Sequence, residues 1–173
     1  MGRLVEAKDY PTLLKSFKII HEEIPSRLQI LGTGPLKNDL ENLASELNIS
    51  ECVDFLGFIK NPFSIIRASN VFLMSSIYEG LPTALIEAMA CAVPVVSTRA
   101  KYGPEEIIID GESGLLVNVG DSQDLANSTI KILKDHSLHN KLSKTGALRV
   151  KSLFSKDKLI PCLEDTFINA ILE

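Results

Sequence analysis

Two carboxylates, Glu79 and Glu87, stand with seven residues between them in the stretch SSIYEGLPTALIEAMACAVPVVST, Ser75 to Thr98. From Gly80 to Thr98, Glu87 is the only charged residue in a segment that is otherwise apolar or small. Pro82 is favoured at the first position of a helix, because its missing N–H would be unpaired there anyway. The stretch therefore predicts strand, loop, helix and strand. A helix apolar around its whole circumference is a buried helix. An ionised carboxylate inside one needs hydrogen-bond donors, so Glu87 is expected to be buried with donors facing it.

The helix start offers the backbone N–H groups of Thr83 and Ala84, and the loop before it those of Gly80 and Leu81. Unpaired donors at the positive end of a helix dipole suit a phosphate or sugar hydroxyls. Glu87 lies about one and a half turns further in, where it would meet the next part of the same ligand. An anionic centre flanked by hydroxyl groups fits this arrangement, and a nucleotide sugar is such a ligand. The competing reading is a core glutamate bonded to a neighbouring backbone or basic group. A glycosidase pair is a further use of two carboxylates, but the surrounding donors suit phosphate better.

Gly32-Thr33-Gly34-Pro35 follows a short apolar run and invites comparison with a dinucleotide fingerprint. The third glycine is missing, with Lys37 in its place, and no acidic ribose partner stands at the right distance. The glycines read instead as a tight turn with a close backbone approach, near the base of a bound donor.

These groups must be positioned by an alternating series of elements. Leu13, Leu14, Phe17 and Ile20 recur at helical spacing within a helix from Tyr10 to Glu23. A strand is expected at Arg27 to Leu31, a helix at Leu36 to Leu47, a strand at Cys52 to Leu56, and a short helix to Ala68 with Phe63, Ile65 and Ile66 facing the core. Val71 to Met74 and Pro94 to Ser97 are strands flanking the two carboxylates, and open α/β sheets bind ligands at the carboxyl ends of such strands. A short helix enters after Tyr102-Gly103-Pro104. Gly111 and Gly114 bracket a turn before a last strand, Leu115 to Val117. Helices are expected from Asp121 or Ser122 to Lys134 and from Leu142 to Phe154, with a terminal helix at 158–173. The alternation makes the fold class α/β, a doubly wound parallel sheet.

The 173 residues form one domain, 1–173, able to bury its own core. With 45% hydrophobic and 23% charged residues the composition is globular. A net charge of −4, with no basic run interleaved with aromatics, argues against a nucleic-acid surface. Three widely spaced cysteines, Cys52, Cys91 and Cys162, point to a reducing compartment and free thiols. His21, His136 and His139 lie in polar helical stretches and read as solvated rather than metal-ligating. No leader and no apolar run of spanning length is visible, so a cytoplasmic protein is expected.

Several motifs together extend the reading. EGLPTALIE followed by AMACAVPVV resembles the E-x7-E signature of retaining GT-B glycosyltransferases of family 4. Gly2-Arg3-Leu4 with Lys8-Asp9, Gly32-Thr33-Gly34-Pro35, Phe55-Leu56-Gly57, Gly103-Pro104-Glu105-Glu106-Ile107, and Asp110-Gly111 with Gly114-Leu115-Leu116-Val117 stand in that family's order. The resemblance implies the Rossmann-like C-terminal half of a two-domain enzyme, with its first strand and the acceptor-binding N-terminal domain absent. It implies that Arg3 and Lys8 contact the donor diphosphate and neutralise the leaving group without a metal. Glu79 would lie near the donor sugar, Glu87 would accept from ribose hydroxyls, and the loop N–H groups of Gly80, Leu81, Thr83 and Ala84 would hold sugar and diphosphate. Gly34, Gly103 and Glu105 or Glu106 would be further donor contacts.

The implied donor is a UDP- or GDP-linked sugar, with no other cofactor and no metal. The acceptor is a saccharide or lipid-linked molecule, and peripheral membrane association is expected of the full-length enzyme. A nucleotide-sugar-binding fragment without turnover, or another Rossmann-type enzyme such as a nucleotide-sugar epimerase, are the alternatives. Leu163, Phe167, Ile168 and Ile171 on the terminal helix would lack a partner and favour self-association. Ala92 stands where the family usually has Gly, which puts the local geometry there in question.

Overall fold

A computed structural model describes residues 1–172, and in its last helix the side chains as far as Glu164 together with that of Phe167. Five strands, β1 (Leu28–Leu31), β2 (Val53–Gly57), β3 (Phe72–Met74), β4 (Val95–Thr98) and β5 (Leu115–Val117), alternate with helices. These are α1 (Tyr10–Glu23), α2 (Lys37–Glu46), α3 (Phe63–Ala68), α4 (Thr83–Ala90), α5 (Pro104–Ile107), α6 (Ser122–Lys134), α7 (His136–Phe154) and α8 (Lys156–Leu172). Every strand pair is parallel, as crossover connections through helices require.

Successive strand residues point to opposite faces, and here both faces are buried. Val96 and Val117 join a core with Leu14, Phe17 and Leu125 from α1 and α6. Their neighbours Val95 and Leu116 join a second core with Ile66, Leu85, Met89 and Val150 from α3, α4 and α7. Helices on both faces make the sheet doubly wound. The sheet is nevertheless in two pieces, β1-β2 and β3-β4-β5.

The segment before α1 lies at the carboxyl ends of both pieces. The N–H groups of Gly2 and Leu4 donate to the carbonyls of Leu31 and Thr33, each at 2.9 Å. On the other side the Ile77 N–H donates to Ala7 at 2.9 Å. This packing explains the two glycines after β1. A Cβ on Gly32 would stand 1.8 Å from the Gly2 carbonyl oxygen, and one on Gly34 would stand 2.4 Å from that of Leu4. The close backbone approach is therefore to the protein's own opening segment.

α1 begins where the Asp9 side chain accepts from the Thr12 N–H, with Pro11 in the first turn, and its buried face carries Leu13, Leu14, Phe17 and Ile20. α7 starts at His136, earlier than the periodicity predicts, because Asp135 caps it by accepting from the Leu138 N–H. In α3 only Ile66 is fully buried, and Phe63 is exposed, since so short a helix offers one inward position. His21 is not solvated: it is half-buried, its Nδ1 lying 3.0 Å from the Ser26 carbonyl oxygen and its Nε2 3.4 Å from Cys52 Sγ.

α4 ends in a Schellman motif, with Ala92 N–H on Met89 and Val93 N–H on Ala88. Ala92 holds the left-handed position at φ 58°, with its methyl exposed. The extra methyl meets no obstruction, and what it leaves is backbone strain. On α8, Leu159, Ile160, Leu163 and Phe167 are exposed. Ile168 and Ile171 lie outside the described side chains. No helix among the described residues is long and apolar enough to cross a membrane.

Candidate functional site

At the carboxyl end of β3 the chain passes through buried Ser75 and Ser76 into the loop carrying Glu79. The Thr98 hydroxyl, from the end of β4, donates to the Ser76 carbonyl at 2.6 Å. The Ser75 hydroxyl donates to the Lys8 carbonyl at 2.8 Å, tying this loop to the opening segment. Opposite sides of a cavity of about 310 Å³ are thereby brought together. Its lining includes Arg3, Lys8, Glu79, Leu81, Thr83, Ala84 and Glu87.

Lys8 Nζ lies 2.5 Å from Glu79 Oε1, and the Ser76 hydroxyl donates to the same oxygen at 2.6 Å. The Glu79 side chain is only 9% exposed, so its charge is held by fixed partners rather than by water. The Glu79 N–H donates to the Lys101 carbonyl at 3.2 Å, which fixes the loop from outside. Tyr10, buried beside Gly2 with its hydroxyl 3.3 Å from that carbonyl oxygen, has its phenol pushed up to about 12, first by burial and then by the Glu79 charge.

Glu87 is not the core residue expected. It is half-buried on the face of α4 that lines the cavity, and its carboxylate makes no hydrogen bond or ion pair among the described residues. α4 presents a whole face to the cavity, with Thr83 exposed and Ala84 and Glu87 half-buried, while Leu85, Ala88 and Met89 go inward. The donor set at its start is smaller than the sequence implies, because the Thr83 N–H is spent on the Leu81 carbonyl at 2.9 Å. The N–H groups of Gly80, Leu81 and Ala84 have no backbone acceptor among the described residues. Arg3 is exposed at the cavity rim, without an ion pair among the described residues.

Three predicted contacts stand outside this cavity. Gly34 packs on the Leu4 backbone. Gly103 is buried against the Gly80 carbonyl and Pro82, where a Cβ would come within 2.4 Å of the former, so it shapes the Glu79 loop from behind. Glu105 is exposed and pairs with Arg99, which also holds Asp110. Sequence reasoning passed over Tyr10, Ser76 and Thr98. Ser76 and Thr98 were marked by being small polar residues at the ends of apolar strands, and Tyr10 carried no such signal.

The model of the glycosyl transferases group 1 family matches residues 1–149. The chain belongs to that family. Lipopolysaccharide core biosynthesis glycosyltransferase LpsE of Rhizobium meliloti is 35% identical to it, over 92% of this chain and 46% of the relative. The C-terminal domain of LpcC, a group 1 glycosyl transferase of Francisella tularensis, superposes with a TM-score of 0.81 at 25% identity, covering 90% of this chain and 84% of that one. A crystal structure of a TarM variant from S. aureus, in complex with fondaparinux, alpha-GlcNAc-glycerol and UDP, superposes at 0.90 with 22% identity, covering 96% of this chain and 34% of that one. The fold is that of the GT-B glycosyltransferase C-terminal domain. This group 1 chain spans about half the length of the curated relatives it matches.

Proposed function

We propose that this chain is the donor-binding half of a retaining family 4 glycosyltransferase, which transfers a hexose or amino sugar from a nucleoside-diphosphate sugar to a saccharide or lipid-linked acceptor. The observation that carries the reading is the convergence on one cavity of two cations, Arg3 and Lys8, from the start of the matched region, and two carboxylates, Glu79 and Glu87, from its middle. In the solved TarM complex UDP is present, which supports a uridine-linked donor here.

Arg3 and Lys8 meet the diphosphate, and their charges take up the negative charge that grows on the leaving group, so that no metal is needed. The free N–H groups of Gly80, Leu81 and Ala84 add neutral donors beside them at the α4 start. Glu87, whose carboxylate has no partner among the described residues, accepts from the ribose hydroxyls. Glu79 is already paired with Lys8. It orients the sugar and balances the positive charge of an oxocarbenium-like transition state only as Lys8 turns toward phosphate. Gly34 and Gly103 serve by shaping the two loops.

The acceptor site belongs to the length of the relatives that this chain does not span, and any membrane association belongs there too. The chain alone is therefore expected to bind donor and to transfer sugar poorly. Calorimetric titration with UDP, UDP-sugars, GDP-mannose and NAD, repeated on Glu87→Ala, tests the reading. Binding of one nucleoside diphosphate, weakened in the variant, supports it. A folded protein that binds none of them, or binds NAD instead, overturns it.

A further inference from the structure

Two consecutive serines follow β3, and each grips a different member of the Lys8–Glu79 pair. The Ser75 hydroxyl donates to the Lys8 backbone carbonyl at 2.8 Å, and the Ser76 hydroxyl donates to Glu79 Oε1 at 2.6 Å. Both serines are buried, so these hydroxyls keep protein partners rather than water. Ser76 is itself fixed, because its carbonyl accepts from the buried Thr98 hydroxyl at 2.6 Å and the N–H of the next residue, Ile77, donates to Ala7 at 2.9 Å.

The two members are therefore held at unlike points. Lys8 is held by its backbone, and beyond that point its flexible stem is able to swing the ammonium. Glu79 is held at the carboxylate itself. Lys8 Nζ and the Ser76 hydroxyl converge on Oε1, while Oε2 has no hydrogen bond among the described residues. A carboxylate only 9% exposed is costly to leave without a donor. If Lys8 were its one donor, a diphosphate that drew Lys8 away would strip it.

We infer, resting on the donor-site reading above, that Ser76 is a positioning residue: its hydroxyl holds the Glu79 carboxylate through Oε1 when the Lys8 ammonium leaves for a diphosphate. The pair then opens by rotation of the Lys8 side chain alone, and Oε2 stays free for a hydroxyl of the ligand. Ser75 keeps the Lys8 backbone still during the same exchange.

The test is calorimetric titration of the full chain with UDP and with GDP, which carry a diphosphate but no sugar and so report on Lys8 without a Glu79 contact to sugar. Ser76→Ala is expected to weaken the diphosphate that binds about tenfold, the loss of one hydrogen bond to a charged group. In a Glu79→Gln background the same replacement is expected to change affinity by less than about twofold, because a neutral amide does not need that donor once Lys8 has left. A merely structural role would lower affinity equally in both backgrounds. Ser75→Ala, whose hydroxyl does not touch the carboxylate, is expected to act alike in both. Should Ser76→Ala lack a folded circular dichroism spectrum, Ser76→Cys, a weak donor on a similar side chain, replaces it with the same expectation. Unchanged affinity on removal of the Ser76 hydroxyl, or an equal loss in both backgrounds, overturns the inference and leaves the donor-site reading standing. A folded wild type that binds neither diphosphate overturns both.

Discussion

Lys8 Nζ and Glu79 Oε1 meet at 2.5 Å although 71 positions separate them in the chain. The pair joins the opening segment to the loop after β3, and it places a cation and an anion side by side in the cavity lining. Since the Ser76 hydroxyl donates to the same oxygen, removing the carboxylate leaves the buried Ser76 hydroxyl and the half-buried Lys8 ammonium without this acceptor. Glu79→Ala is expected to lower stability by about 2 to 3 kcal/mol, and Glu79→Gln, which keeps an acceptor oxygen but no charge, by about 1 kcal/mol. Denaturant unfolding with an unchanged slope checks the order of the two.

Glu87 predicts the opposite division of effects. With no partner in the described structure, its removal is expected to change stability by no more than about 0.5 kcal/mol. Nucleoside diphosphate binding is expected to weaken by about 1 to 3 kcal/mol, the cost of an unmade hydrogen bond to the ligand. Calorimetry of binding beside thermal unfolding of Glu87→Ala separates the two quantities.

Tyr10 predicts a pH dependence. Its phenol, pushed up from 10.0 to about 12 by burial and by Glu79, favours the protonated form in the folded protein. Its contribution to stability is therefore complete below pH 10 and is lost as pH rises from there through about 12. The tyrosinate absorbance of the wild type minus that of Tyr10→Phe isolates this one phenol, and its midpoint is expected near 12. Glu79→Gln is expected to move that midpoint downward.

Ala92 is expected to be a point of stored strain. A left-handed conformation costs a non-glycine residue roughly 1 to 2 kcal/mol, partly offset in Ala92→Gly by the freer unfolded chain. A net gain of about 0.5 to 1 kcal/mol follows. An unfolding midpoint that stays put or falls would show the Schellman turn to be relaxed as it stands.

Gly34 and Gly57 separate close approach from backbone conformation. A methyl at Gly34 would collide with the Leu4 backbone at 2.4 Å, whereas Gly57, at φ +69°, has nothing within 4 Å. Gly34→Ala is expected to cost about 3 kcal/mol or more through overpacking, and Gly57→Ala about 1 kcal/mol through backbone strain alone. Unfolding of both variants under the same conditions decides the comparison.

The alternation of apolar runs with amphipathic stretches determined the α/β class. The helix at Tyr10–Glu23 and the strand at Leu115–Val117 were legible to the residue, because side-chain periodicity is a local property. The spacing of Glu79 and Glu87, with Gly80 and Pro82 between them, likewise marked a loop entering a helix. Only the tertiary structure decided what those residues meet. An apolar stretch does not say which of its faces a neighbour will cover, so Glu87 read as buried although α4 leaves that side open to the cavity. A glycine pair does not say which backbone approaches it, so the close approach at Gly32 and Gly34 read as one near a bound donor's base although Gly2 and Leu4 are the backbone that packs there. The bond between Lys8 and Glu79, and the division of the sheet at β1 and β3, are set by long-range packing, which no local pattern along the chain encodes.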